Sequence, residues 1–218
     1  NTEDRLAATQ AQIAAGDGHT CARQAKGTVM CWGRDDRGQL GGAGTAPPPN
    51  STMSPFSTIA LRPSVAAWTI FPQKFAAIAL GGDTTCATRR DGKVDCWGGL
   101  GIDAAPSIPG KSKPTPKPKL VAGLKGAAAV ALGGDHACAL LQDGSATCWG
   151  DNENGQLGDG SAAKKHPPAK VKGLVGVVEL ALGKDHTCAR LADATVQCWG
   201  SNAAGQLGDG STKDRRIP

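Results

Sequence analysis

Cysteine and histidine are the residues best equipped for chemistry here, and they recur on a fixed grid. Eight cysteines fall in four pairs, Cys21 and Cys31, Cys86 and Cys96, Cys138 and Cys148, Cys188 and Cys198, always ten residues apart. Three pairs carry a histidine two residues ahead of the first cysteine, at His19, His136 and His186. Thiols and imidazoles in this pattern could form disulfides, hold a soft metal ion, or supply a nucleophile and its base. Each outcome needs its own geometry. A tetrahedral metal site needs four ligands, yet no Cys-x-x-Cys is present, and one cysteine pair with its histidine offers three at best. A nucleophilic cysteine should stand alone, and none does. Regular recurrence also speaks against catalysis, because an active site is a single constellation whereas repeated residues are architectural. Disulfides, reduced structural cysteines and metal ligation are the three readings open at this point, with disulfides ahead of the other two.

The elements that position these residues follow from a repeat. Ile13-Ala-Ala-Gly-Asp-Gly-His-Thr-Cys21, Ile78-Ala-Leu-Gly-Gly-Asp-Thr-Thr-Cys86, Val130-Ala-Leu-Gly-Gly-Asp-His-Ala-Cys138 and Leu180-Ala-Leu-Gly-Lys-Asp-His-Thr-Cys188 align without gaps, and each leads to a Cys-Trp-Gly. The leading cysteines are 65, 52 and 50 residues apart. A period near 50 corresponds to a unit of about four strands, not to a helix pair. Between the cysteines lies a hairpin centred on Lys26, Asp91, Asp143 or Asp193, followed by Gly27, Gly92, Gly144 or Ala194. An odd midpoint implies a three-residue connection with a left-handed residue just after its centre. Ala194 breaks that rule and should weaken the last hairpin by about 1 kcal/mol. The paired cysteines then face each other at a non-hydrogen-bonded position, with the tryptophan on the opposite face of the sheet. Both faces must be buried, as in a blade between two blades.

Composition agrees. The 218 residues are 39% hydrophobic and 20% charged, with 31 Gly, 14 Pro and no Tyr, which excludes wholesale disorder and favours a turn-rich β protein. No apolar run approaches the roughly 18 residues needed to span a bilayer. The chain begins at Asn1 with no signal peptide, the expectation being a processed or excised product. Polar loops follow the hairpins: Gly155-Gln-Leu-Gly-Asp-Gly-Ser161 recurs as Gly205-Gln-Leu-Gly-Asp-Gly-Ser211, and Gly38-Gln-Leu-Gly-Gly42 is close. Lys170-Val-Lys-Gly-Leu174 and Lys117-Pro-Lys-Leu-Val-Ala-Gly-Leu124 read as strands opening the next unit.

These residues resemble the regulator of chromosome condensation repeat family, and a cysteine pair in every unit is similar to its secreted bacterial-type branch. The resemblance implies an all-β fold of propeller blades, seven in a complete ring. Four repeats, at approximately 1-55, 56-118, 119-168 and 169-218, form one domain over 1-218 and would leave such a ring open. The expectation is a fragment or a ring completed by another chain. The second repeat departs from the pattern: Thr84 replaces histidine, and the Pro- and Lys-rich stretch Ile102–Lys119 replaces the Gly-Gln-Leu-Gly loop. The repeated histidines are expected to bond backbone groups between blades, and His166 to lie solvated on a loop.

No Gly-x-Ser-x-Gly, Walker loop, dinucleotide fingerprint or His-Glu-x-x-His occurs. Asp151-Asn-Glu-Asn-Gly155 lacks the glycine and closing glutamate of a calcium loop. The expectation is therefore no enzyme, no cofactor and no metal. A net charge of +5 falls short of a nucleic-acid signature, so no nucleic-acid partner is expected. Basic residues do concentrate at Lys111–Lys119, Lys164–Lys172 and Lys213–Arg216, which map to corresponding segments and could share one rim. Phe56, Trp68, Phe71 and Phe75 cluster in the longest insertion, where local core packing is the plainer reading and Asn50 begins an Asn-Ser-Thr sequence. Phe56, Trp68, Phe71, Lys113 and Lys117 are the candidate partner-binding residues, and the disulfide candidates are the eight cysteines. The function expected is a secreted, extracellular or periplasmic protein-interaction scaffold. Its partner would be a protein, including another propeller-containing chain or copies of itself. An inhibitor of an extracellular enzyme and a structural subunit of a surface assembly are the alternatives. Family members include a nuclear exchange factor for a small GTPase and a secreted bacterial β-lactamase inhibitor; disulfides argue against the first role here.

Overall fold

Each cysteine pair closes a β-hairpin, and four hairpins build four antiparallel sheets. The structure, a computed structural model, describes residues 11–41, 74–99 and 115–218. The first blade holds β1 (Gln12–Ala15), β2 (His19–Arg23) and β3 (Val29–Gly33). The second holds β4 (Phe75–Gly81), β5 (Thr84–Arg89), β6 (Val94–Gly98) and β7 (Thr115–Leu120), and the third β8 (Ala127–Leu132), β9 (His136–Leu141), β10 (Ala146–Asp151) and β11 (Lys165–Lys170). The fourth contains β12 (Val177–Leu182), β13 (His186–Leu191) and β14 (Val196–Gly200). In every sheet the strands lie in sequence order. The innermost strands β1, β4, β8 and β12 neighbour one another in turn.

The hairpins match the sequence reading. In the third blade Leu141 N–H donates to the Ser145 carbonyl at 2.8 Å and Gly144 N–H to the Leu141 carbonyl at 3.0 Å, closing a three-residue connection. Asp143 braces it by accepting from Ser145 N–H at 2.9 Å. Gly144 has φ 75°, and Ala194 is forced into the same region at φ 69°. Hydrogen-bonded and open pairs alternate outward from Leu141–Ser145, so Cys138 and Cys148 fall on an open pair. All four cysteine pairs are disulfides, with Cα separations of 4.0–4.1 Å.

Stacking buries both faces of the inner blades. The Cys21–Cys31 disulfide packs with Ala87 and Trp97 of the second blade. Cys86 and Cys96 meet Ala137, Ala139 and Trp149 of the third, and Cys138 and Cys148 meet Ala189 and Trp199 of the fourth. Close approach near the axis depends on glycine: a Cβ on Gly81 would lie 2.5 Å from the Gly133 carbonyl oxygen.

Two readings are corrected. Lys117–Leu124 and Lys170–Leu174, expected to open the next unit as strands, do not: Lys117–Leu120 and Lys170 end β7 and β11, which pair with β6 and β10 as the outer strand of the preceding sheet, and 121–124 and 171–174 are turns that follow them. His166 lies in β11, not in a loop. Two prolines, Pro167 and Pro168, disguise that strand, yet an edge position tolerates residues that cannot donate to a ladder.

Candidate interaction surface

The repeated polar residues join blades. His19, buried on β2, pairs its Nε2 with Thr85 Oγ1 of the second blade at 2.7 Å, and His136 pairs with Thr187 Oγ1 of the fourth at 2.9 Å. Both threonines donate onward to a backbone carbonyl of the previous blade's Gln-Leu-Gly loop: Thr85 to Gln39 at 2.9 Å, Thr187 to Gln156 at 3.0 Å. The same carbonyls accept the indole N–H of Trp97 and Trp199, each at 2.9 Å. The loop is shaped for this task. Asn152 Oδ1 accepts Leu157 N–H at 3.0 Å, and Gln156 bridges Asn154 N–H and Asp151 Oδ2. The expected inter-blade role of the histidines is therefore present, but its partner is a threonine hydroxyl, not a backbone group. The threonine just ahead of the cysteine in three repeats was the available signal.

Burial, with a charge from His186 nearby, lowers the His136 pKa to about 4, although the Lys184 backbone acts in the opposite direction. Burial likewise lowers that of His19, against the carboxylates of Asp83 and Asp17. Neutral imidazoles buried this way are structural posts.

Two solvent-facing regions outside these junctions carry charged residues. At the axis, the corners after β1, β4, β8 and β12 line a cleft of about 490 Å³ bearing Asp17, Asp83, Asp135 and Lys184. Arg34 Nη1 approaches Asp83 Oδ1 at 3.5 Å. Among the described residues no His, Cys, Asp and Glu side chains group closely enough to hold a metal ion.

The second place is the rim. Lys117 and Lys119 are exposed on β7, and Lys170 and Lys172 lie exposed at the corresponding outer position of the third blade. The last basic cluster is partly engaged within the chain. Arg215 pairs with Asp209 at 2.8 Å and Arg216 Nη1 donates to the Ser161 carbonyl at 2.9 Å. The Arg215 guanidinium holds the Asp209 carboxyl well below the usual range, with Ser211 assisting. Of the candidate partner-binding residues, Lys117 is thus on the rim; Phe56, Trp68, Phe71 and Lys113, like Asn50, lie outside the described residues. Phe75, from the same aromatic cluster, is a core residue, 2% exposed. No helix among the described residues is long and apolar enough to cross a membrane.

Known proteins share this architecture. The chain is 30% identical over 164 residues to the RCC1 domain-containing protein RUG3, mitochondrial, of Arabidopsis thaliana, covering 72% of this chain and 34% of that protein. It is 31% identical over 153 residues to the secretion-regulating guanine nucleotide exchange factor of Mus musculus, covering 67% of this chain and 30% of that protein. Among solved structures, yeast RCC1 (Prp20) bound to Kap60 superposes with a TM-score of 0.71 at 26% identity, covering 95% of this chain and 48% of that one. Human WBSCR16 shares the fold, with a TM-score of 0.76 at 24% identity over 95% of this chain and 51% of its own. The chain therefore spans about a third of these relatives and half of these solved chains. The profile of the Regulator of chromosome condensation (RCC1) repeat matches residues 11–39, 75–99, 127–156 and 177–206, the four hairpins with their inner strands. With more than half of its length matched in this way, the chain belongs to the Regulator of chromosome condensation (RCC1) repeat family.

Proposed function

We propose that this chain is a secreted, disulfide-braced scaffold that binds a protein partner through its variable loops and rim. The observation carrying this reading is the use of the repeated polar groups. His19, Thr85, Gln39 and Trp97 at one junction, and His136, Thr187, Gln156 and Trp199 at another, are committed to holding blades together. Recognition then falls to what differs between repeats, as is usual for loops on a rigid frame. Four disulfides suit an oxidising compartment. A structure of yeast Prp20p, 26% identical to this chain, is described together with its binding to Gsp1p and histones, which supports protein binding as the general mode.

The partner-contacting residues in this proposal are Phe56, Trp68, Phe71, Lys113 and Lys117. Immobilised oxidised protein should capture a discrete partner from the source's extracellular proteins. Phe56→Ala, Trp68→Ala and Phe71→Ala, or Lys113→Glu with Lys117→Glu, should reduce capture at least about tenfold while leaving thermal unfolding unchanged, as for interface anchors. Equal capture by all folded variants would remove these residues from the site. Absence of any discrete captured protein would overturn the scaffold reading itself.

A further inference from the structure

Each histidine junction fixes where its protons sit. Thr85 and Thr187 donate their single hydroxyl hydrogen to a carbonyl, Gln39 O and Gln156 O respectively. His19 and His136 are therefore the donors to those threonines, at 2.7 and 2.9 Å, and each neutral imidazole carries its hydrogen on Nε2. Nδ1 is then the bare nitrogen. It is buried in both residues, which are 3% and 1% exposed, and it has no hydrogen-bond partner. Corner glycines close over it: a Cβ on Gly16 would lie 2.9 Å from His19 Nδ1, and one on Gly133 2.7 Å from His136 Nδ1.

A proton taken up at Nδ1 creates a buried cation beside glycine backbone, inside an interface that excludes water. The surrounding charges do not offset that cost. At His19 burial is the largest influence; Asp83 across the junction and Asp17 at its own corner favour the cation, and Arg34 opposes it. At His136 burial again dominates, a charge on His186 of the next blade adds to it, and the Lys184 backbone acts the other way. Asp135 and Asp151 on the third blade, and Lys184 and Asp185 on the fourth, are the charged side chains at the neighbouring corners and strand ends. The second-to-third junction differs in kind, because Thr84 holds the histidine position and no imidazole stands there to titrate.

We propose that His19 and His136 are acid releases: proton uptake at Nδ1 unlocks the first-to-second and third-to-fourth junctions and leaves the second-to-third junction closed. When a junction opens, its imidazole reaches water and binds the proton more tightly than in the closed state, so falling pH favours opening. The response begins near the ordinary histidine value and extends down to the lowered folded value, about 4 for His136. Acid thereby frees the first and fourth blades as flaps on a core of the second and third. A surface that spans blades loses its fixed spacing in this range, whichever partner it holds.

Each junction carries its own reporter, a backbone amide bonded across it: Phe75 N–H to Gly27 O at 3.2 Å, Ala127 N–H to Gly92 O at 2.9 Å and Val177 N–H to Gly144 O at 2.8 Å. The test is hydrogen exchange of these three amides, read by NMR on the oxidised full chain between about pH 7 and about pH 4.5 and corrected for the intrinsic pH dependence of exchange. Protection of Phe75 and Val177 should fall at least about tenfold more than that of Ala127. His19→Gln keeps a side-chain N–H for Thr85 but cannot titrate, and it should abolish the loss at Phe75 alone. His136→Gln should abolish the loss at Val177 alone. Equal loss at all three amides, or no loss at Phe75 and Val177, overturns the proposal. So does a loss that persists in the folded glutamine variants, because it then belongs to carboxylates such as Asp83, which Arg34 approaches at 3.5 Å across the first of these junctions. If a glutamine variant does not fold, the onset in the wild-type chain decides. An onset near the ordinary histidine value of about 6.5 supports the proposal, and one confined to the carboxylate range, below about 5, refutes it.

Discussion

Trp149 and Trp199 hold equivalent places in adjacent blades, yet among the described residues only the second has its indole N–H paired. Replacing either with phenylalanine removes a similar volume from a packed interface. The difference between the two variants therefore isolates the hydrogen bond. Trp199→Phe should cost about 1–2 kcal/mol more than Trp149→Phe in urea unfolding, because it leaves the Gln156 carbonyl short of a donor while Trp149→Phe removes an unpaired one. His136 supplies a pH prediction. Its folded pKa is about 4, below the ordinary 6.5, so the stability it contributes is complete above pH 6.5 and is lost as pH falls toward 4. That shift corresponds to about 3 kcal/mol. A His136→Gln variant should show a flatter pH dependence of unfolding across that window, against a wild-type curve that declines. The sequence made the architectural role of these histidines readable through their recurrence. It did not reveal the threonine, because the partner of His136 is 51 residues away in the next blade.

At the level of single elements, local rules were the most transparent part of the sequence. The ten-residue cysteine spacing determines a three-residue turn, and the turn determines which residue must adopt positive φ. Ala194 does so at 69° where the other hairpins have glycine. Ala194→Gly should therefore stabilise the chain by up to about 1 kcal/mol, read as a raised urea midpoint with unchanged slope. Removing one brace, Cys86→Ala with Cys96→Ala, should cost about 2–3 kcal/mol, toward the low end because the closed loop is short. Outer strands were harder to place. Lys165-His-Pro-Pro-Ala-Lys170 looks like loop by composition, and only its pairing to β10 makes it a strand.

The whole molecule depends on how closely neighbouring sheets approach at their inner ends. Gly81 sits where a methyl group would press on the Gly133 backbone at 2.5 Å. A flexible side chain could yield there, but backbone of a neighbouring sheet cannot without moving the blade. Gly81→Ala should lower the melting temperature by several degrees, consistent with a loss of about 2 kcal/mol or more, while Gly123→Ala, with nothing within 4 Å, should show only the local cost of its positive φ. Measuring both variants separates axial crowding from backbone strain. The mild charge of +5 acts at this scale too, spread over rim segments of which Lys117, Lys119 and Lys170 are exposed while Arg215 and Arg216 are held by contacts within the chain.

By itself, the sequence determined the repeat, the hairpin register, the cysteine partners and the need to bury both sheet faces. These follow from periods of two and about fifty residues, which are properties of spacing. Tertiary structure alone decided which carbonyl meets which tryptophan and which outer strand belongs to which blade. Those outcomes arise between residues far apart in the chain.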